Sequence, residues 1–148
     1  MQIRIATIAD AGVIARLSRA EIEHGLTWRW TPERVRHAVR DPDTNVVVAV
    51  DGASLRGFGI MVYRDERAHL CLLAVDPRQR RQGVGTALLA WLEHVARVAG
   101  LQRLGLEARQ DNAAALAFYA RHGYQRVAVV AGMYQGLETG VRLLKVQP

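Results

Sequence analysis

The chain has one cysteine, Cys71, and one lysine, Lys145, in 148 residues. A single cysteine excludes an internal disulfide framework and suits a reducing cytosol. The single lysine precedes Val146, so the Gly-Lys-Ser/Thr signature of a P-loop is absent. No apolar run approaches the roughly 18 residues that cross a bilayer. The first residues, from Met1 to Ile5, lack the apolar stretch of a secretory leader. Aromatic residues make up only 6% and do not interleave with basic ones, which argues against a nucleic-acid platform. The histidines at 24, 37, 69, 94 and 122 show no metal-ligand spacing, so no metal site is expected.

What remains is ordinary in bulk: 50% apolar and 23% charged residues, enough for one domain with a proper core over residues 1–148. The net charge of +6 is spread along the chain, and its densest group lies at Arg78, Arg80 and Arg81. There an apolar strand ends at Asp76-Pro77, a basic loop follows, and Gly83 and Gly85 open a long amphipathic helix. Unpaired N–H groups at such a helix start can hold a phosphate, and the two glycines remove the Cβ atoms that would keep it away. Arginine matches phosphate oxygens. A dinucleotide fingerprint is excluded, because its third small residue would fall on Leu88. A tight turn with solvated arginines is the plain alternative.

Patterning along the chain predicts strands at 2–7, 46–50, 55–63, 68–75, 104–108, 124–130 and 141–146. Helices are predicted at 9–23, from Thr31-Pro32-Glu33 to Arg40, at 84–99 and at 112–122. A loop is expected over 132–140, carrying Met133 and Tyr134. The fold class is α/β: a mixed sheet with helices on both faces and a parallel crossover from Ala68 to Ala108. Cys71, alternating with Leu70 and Leu72, is expected to be a buried apolar residue.

A second segment follows one helix and one strand later: Asn112, Ala115, Phe118, Tyr119, Gly123 and Tyr124, in the pattern Asn-x-x-Ala-x-x-Phe-Tyr-x-x-x-Gly-Tyr. With Arg80, Gly83 and Gly85 in the pattern Arg-x-x-Gly-x-Gly, the pair resembles the GNAT superfamily of acetyl-CoA-dependent N-acetyltransferases over nearly the whole chain. The resemblance implies a central, mostly antiparallel sheet with two splayed parallel strands. It also implies acetyl-CoA as co-substrate, held by Arg80, Arg81, Gln82, Gly83, Val84, Gly85, Thr86 and Asn112. The backbone of Leu73, Ala74 and Val75 would take the pantetheine arm and the developing oxyanion.

Glu107 and Tyr119 are the candidate catalytic pair. The strand pattern alone favours Glu107 as a solvated charge paired with Arg109, and helical spacing fits Tyr119 as a core aromatic. Glu107 stands twelve residues before Tyr119, as in the ribosomal-protein alanine N-acetyltransferases of the RimI type. That likeness implies Glu107 as general base and Tyr119 as general acid. It also implies that Trp30 and Tyr134 border the acceptor groove, although Trp28 and Trp30 equally fit a staple at a helix start. The chain departs from this subgroup where Arg29 replaces a proline and Thr139-Gly140 replaces Asp-Ala.

Amine chemistry favours an α-amine acceptor. Near pH 7 roughly a tenth of an α-amine is unprotonated, against about one part in several thousand of a lysine amine. A protein N-terminus is therefore the expected acceptor, with small-molecule amines, a non-catalytic acyl-CoA sensor and a tRNA-binding acetyltransferase as the alternatives. A cytoplasmic enzyme without membrane contact is expected.

Overall fold

The computed structural model describes residues 1–80 and 82–148. Seven strands form one sheet: β1 (Gln2–Ile5), β2 (Thr44–Asp51), β3 (Ser54–Tyr63), β4 (Arg67–Val75), β5 (Arg103–Arg109), β6 (Gln125–Tyr134) and β7 (Glu138–Val146). Their order across the sheet is β1-β2-β3-β4-β5-β7-β6. Every neighbouring pair is antiparallel except β4 and β5, which are joined by α3 (Val84–Val98). The other helices are α1 (Ala11–Glu21), α2 (Pro32–Arg40) and α4 (Ala113–Arg121).

Helices cover both faces because the strands carry apolar residues on both. Val46, Val48, Phe58, Ile60 and Leu72 pack with Ile14 and Val35 on the α1–α2 side. Val47, Met61, Leu70, Leu104 and Leu106 pack with Leu88, Leu89 and Leu92 on the α3 side, where Leu116 and Tyr119 of α4 join them. Each buried leucine of α3 contributes about 1.5–3 kcal/mol relative to an exposed one. Helix starts follow the sequence signals. Thr31 caps α2 through its hydroxyl with Pro32 in the first position, and Asn112 caps α4 by accepting from the Ala115 N–H at 3.1 Å.

Two features of the sheet create the site. The β3–β4 register slips by one residue: Ile60 faces Leu72 and Met61 faces Leu70, which leaves Cys71 as an extra residue. A one-residue slip exchanges the faces of a strand. Ala68 and Leu70 accordingly face α3, whereas Leu72 and Ala74 face α1 and α2. Immediately beyond Leu70 the β4–β5 ladder also ends, its last pair being Leu70 with Leu106. From Cys71 to Val75 the edge of β4 that faces β5 has no strand partner among the described residues.

Two expectations are corrected. The segment 132–140 is not a loop: β6 runs to Tyr134, β7 starts at Glu138, and only Gln135, Gly136 and Leu137 turn. The glycines there mark irregular pairing, with a register shift between Val130 and Tyr134 and φ of 68° at Gly132. The first helix is shorter than expected, because Asp10 takes the Thr7 N–H at 2.8 Å in a short 3-10 turn and Glu23 lies beyond the helix end.

Candidate active site

Beyond the last β4–β5 pair, the strands part around a cavity of about 590 Å³. Its walls are Leu73, Ala74 and Val75 of β4, the start of α3 from Gly83 to Thr86, and Asn112, Ala115, Phe118 and Tyr119 around α4. Gly83 opens α3 with φ of 77°, a conformation that glycine adopts without strain, and nothing lies within 4 Å of where its Cβ would stand. Gly85 faces Phe118, whose ring a Cβ would touch at 3.4 Å, an ordinary contact. The first turn of α3, where N–H groups lack intrahelical partners and the helix dipole is positive, lines this space.

The residues around the loop are not all turned the same way. Arg80 lines the cavity and is held across it by Glu21 of α1 at 2.6 Å. Gln82 accepts from Arg56 at 3.2 Å and is exposed. Arg78 points outward, paired with Asp76 at 2.9 Å; its hydrogen bonds hold the Asp76 carboxyl down at about 2. Arg81 lies outside the described residues.

A narrower space of about 60 Å³ continues from the large cavity on the other side of the parting strands. Glu107, Tyr119, Tyr134, Cys71, Arg109 and Asn112 line it. Tyr119 and Asn112 border both spaces, so this is where they meet. Glu107 does not pair with Arg109 as its strand pattern allowed. Its carboxylate lies 3.3 Å from Arg142 Nε and 4.0 Å from His69 Nε2, with about a third of the side chain exposed. Burial lowers the His69 imidazole pKa, opposed by Glu107 and reinforced by Arg67 and Arg64. Tyr119 is 7% exposed, packed edge-on against Phe118 and Tyr124, and its hydroxyl has no hydrogen bond among the described residues. Burial, then the neighbouring Tyr134, raises its phenol well above the ordinary value, so it stays protonated at neutral pH. Burial and the charge of Glu107 push Tyr134 up to about 12.

Cys71, expected to be buried, is only partly so, because as the bulged residue it turns toward this space. Trp30 lines neither cavity. It packs against the α1–α2 core with Arg34 stacked 3.9 Å over its ring.

Ile22, which begins the segment between α1 and α2, lines both spaces, and hydrogen bonds from distant residues hold that segment. Glu23, 7% exposed, accepts from the Ser18 hydroxyl at 2.8 Å and from the N–H groups of Arg29 and Trp30 at 2.8 and 3.1 Å. Arg109 donates to the carbonyls of Ile22 and His24 at 3.3 and 2.6 Å. The Gln135 amide both accepts from and donates to the Thr27 backbone, each at 2.9 Å, clipping the β6–β7 turn to the same segment. These links span up to 108 residues, so no local pattern announces them. Among the described residues no group of three or more metal-ligating side chains occurs, and no helix is long and apolar enough to cross a membrane.

Residues 14–124 match the Acetyltransferase (GNAT) family, and the chain belongs to it. Over 69 residues it is 39% identical to the [Ribosomal protein bS18]-alanine N-acetyltransferase of Escherichia coli, covering 47% of each chain. Other relatives are named as mycothiol and streptothricin acetyltransferases. The alignments cover 44%, 34% and 47% of three curated relatives, so the chain spans half or less of their length. Among solved structures, Ard1 from Thermoplasma volcanium superposes with a TM-score of 0.87 at 25% identity, over 99% of this chain and 97% of that one. The PaiA N-acetyltransferase of Thermoplasma acidophilum, solved with coenzyme A, shares the fold at a TM-score of 0.82 and 19% identity, with 98% of each chain covered.

Proposed function

We propose that this protein transfers the acetyl group of acetyl-CoA to a primary amine, with the free α-amine of a protein or peptide as acceptor. The observation that carries the reading is the meeting of two spaces at the parted strands. One is large, with an unpaired β4 edge and the α3 N-terminus suited to a thioester arm and its pyrophosphate. The other is small and lined by a carboxylate. The fit of acetyl-CoA to the chain rests on that free strand edge and on Gly83 and Gly85, where a Cβ would block approach to the helix start.

When bound, acetyl-CoA supplies an activated acyl carbon. The chain supplies the proton handling and the orientation. Glu107 takes a proton from the acceptor ammonium, directly or through water, and the lone pair this frees forms the new C–N bond. Backbone N–H groups along Leu73 to Val75 meet the negative charge that develops on oxygen. As the C–S bond breaks, Tyr119 gives its phenolic proton to the departing sulfur. Its raised pKa keeps that proton available at neutral pH. The α-amine is favoured over a lysine amine because one partly exposed carboxylate suffices for a group already partly unprotonated near pH 7.

The test is a panel of acceptors: peptides with free N-termini, polyamines, amino acids and aminoglycosides, followed by release of the CoA thiol. Turnover on peptide N-termini supports the reading. Turnover on small amines alone would replace the acceptor class, and binding of acetyl-CoA without turnover on any acceptor would make the protein a sensor.

A further inference from the structure

Arginines from three parts of the fold converge on the face of the sheet where Glu107 stands. The Arg67 guanidinium lies over Gly105: a Cβ there would be 3.8 Å from Arg67 Nη1 and 3.7 Å from His69 Nδ1. Gly105 is the preceding same-face position to Glu107 on β5, roughly 7 Å along the strand. Arg64 begins the turn that ends at Arg67, its N–H donating to the Arg67 carbonyl at 2.9 Å. The charges of Arg64 and Arg67 both act on His69, and those of Arg34 and Arg64 both act on the Cys71 thiol. Arg34 reaches in from α2 above Trp30, and Arg142 flanks Glu107 from β7.

The acids nearby do not neutralise this group. Glu107 is engaged by Arg142 and His69. Asp41 feels Arg64 but accepts from the Asp43 N–H and the Thr44 hydroxyl, and Asp65 and Glu66 lie in the exposed turn itself. Among the described residues, Arg34, Arg64 and Arg67 have no carboxylate within 4.0 Å. All three are exposed, with Arg67 over Gly105 and the charges of Arg34 and Arg64 acting on Cys71 of the Glu107 pocket.

We propose that this cluster recognises carboxylates on the acceptor, so that the preferred substrate is a peptide N-terminus followed by Asp or Glu in its next two positions. The inference rests on the α-amine reading above. With the amine at Glu107, an extended peptide covers about 7 Å in two residues, the span from Glu107 to Gly105 beneath the Arg67 guanidinium, with Arg64 in the adjoining turn. Acceptors with several positive charges meet a rim of their own sign.

The experiment compares three peptides of equal length that begin with serine and continue with Glu-Glu, Gln-Gln or Lys-Lys. The readout is kcat/KM from CoA release at low and high salt. Exposed charge pairs are individually weak, so the expected preference is roughly tenfold for the acidic over the neutral peptide and a similar step down to the basic one. Added salt should compress both steps. Arg64→Glu/Arg67→Glu should reverse the order, while calorimetry shows unchanged acetyl-CoA affinity and so an intact fold. Equal rates for the three peptides, or an unchanged order in the charge-reversed protein, would overturn the inference and leave the α-amine reading standing. Turnover on small amines with none on any peptide would overturn both. Binding of RNA that the charge reversal abolishes, without discrimination among peptides, would also overturn it.

Discussion

Replacing Tyr119 with phenylalanine separates catalysis from packing, because the two roles of the side chain reside in different atoms. The ring packs edge-on against Phe118 and Tyr124, at centroid distances of 5.3 and 5.6 Å, and phenylalanine keeps both contacts. The hydroxyl has no partner among the described residues, so its loss strands no buried donor, and stability should change by less than about 1 kcal/mol. The acid role predicts a fall in kcat of roughly 10²–10⁴, equivalent to about 3–5 kcal/mol of transition-state stabilisation. Acetyl-CoA affinity should hold, because the thioester sulfur carries no charge before the bond breaks. Tyr124→Phe is the matched control. That hydroxyl donates at 2.8 Å to Glu93, a buried carboxylate otherwise held by Lys145 at 3.1 Å. Its loss should cost about 1.5–3 kcal/mol, or roughly 4–10 °C in Tm for a chain of this size, with kcat nearly unchanged. Thermal melts and CoA-release kinetics on both variants read the comparison. A Tyr119→Phe protein with near-normal turnover on its best acceptor, where chemistry limits the rate, would make Tyr119 a packing residue and refute the reasoning.

Three further outcomes follow from the same structure. Glu107→Gln should keep acetyl-CoA affinity and lower kcat, with the deficit shrinking from pH 6 to pH 9 as the amine loses its proton unaided; a rate unchanged by the substitution across that range would return Glu107 to a surface role. Gly85→Val should push into the Phe118 ring and the helix start, weakening acetyl-CoA binding by orders of magnitude in calorimetry, and normal binding would remove the loop from the cofactor site. Hydrogen bonds from Arg4 hold the Asp10 carboxyl below its ordinary value, so the pair stabilises the fold above about pH 4 and that contribution is lost as pH falls through the lowered pKa. Asp10→Asn should therefore melt lower than the parent at pH 7, and the gap should close in acid; a gap independent of pH would assign the loss to packing.

Helix starts and strand alternation depend on neighbours within a turn or two, so Thr31-Pro32, Asn112, Gly83 and the valines of β2 were readable from sequence alone. The parting of β4 from β5 was available only through the family resemblance. The bulge at Cys71 beside it depends on the register with Met61 and Ile60, which no residue type encodes. The 132–140 segment misled for the reverse reason: glycines that usually end a strand here permit irregular pairing within one. Glu107 and Tyr119 are legible as residues, but their common cavity arises from strand and helix positions set by the whole sheet. The α1–α2 segment was least legible, since Glu23, Arg109 and Gln135 hold it through hydrogen bonds to backbone rather than to patterned side chains.

The central claim, transfer of an acetyl group to an α-amine at the parted strands, is tested most directly with one peptide that carries both a free N-terminus and an internal lysine. The peptide is incubated with acetyl-CoA and the protein near pH 7, and fragment mass spectrometry locates the acetyl group. A single acetyl group is expected on the N-terminal nitrogen, its appearance matching CoA release and nearly abolished in Tyr119→Phe. Acetylation of the lysine with the N-terminus left free, or modification that persists at full rate in Tyr119→Phe, would contradict it.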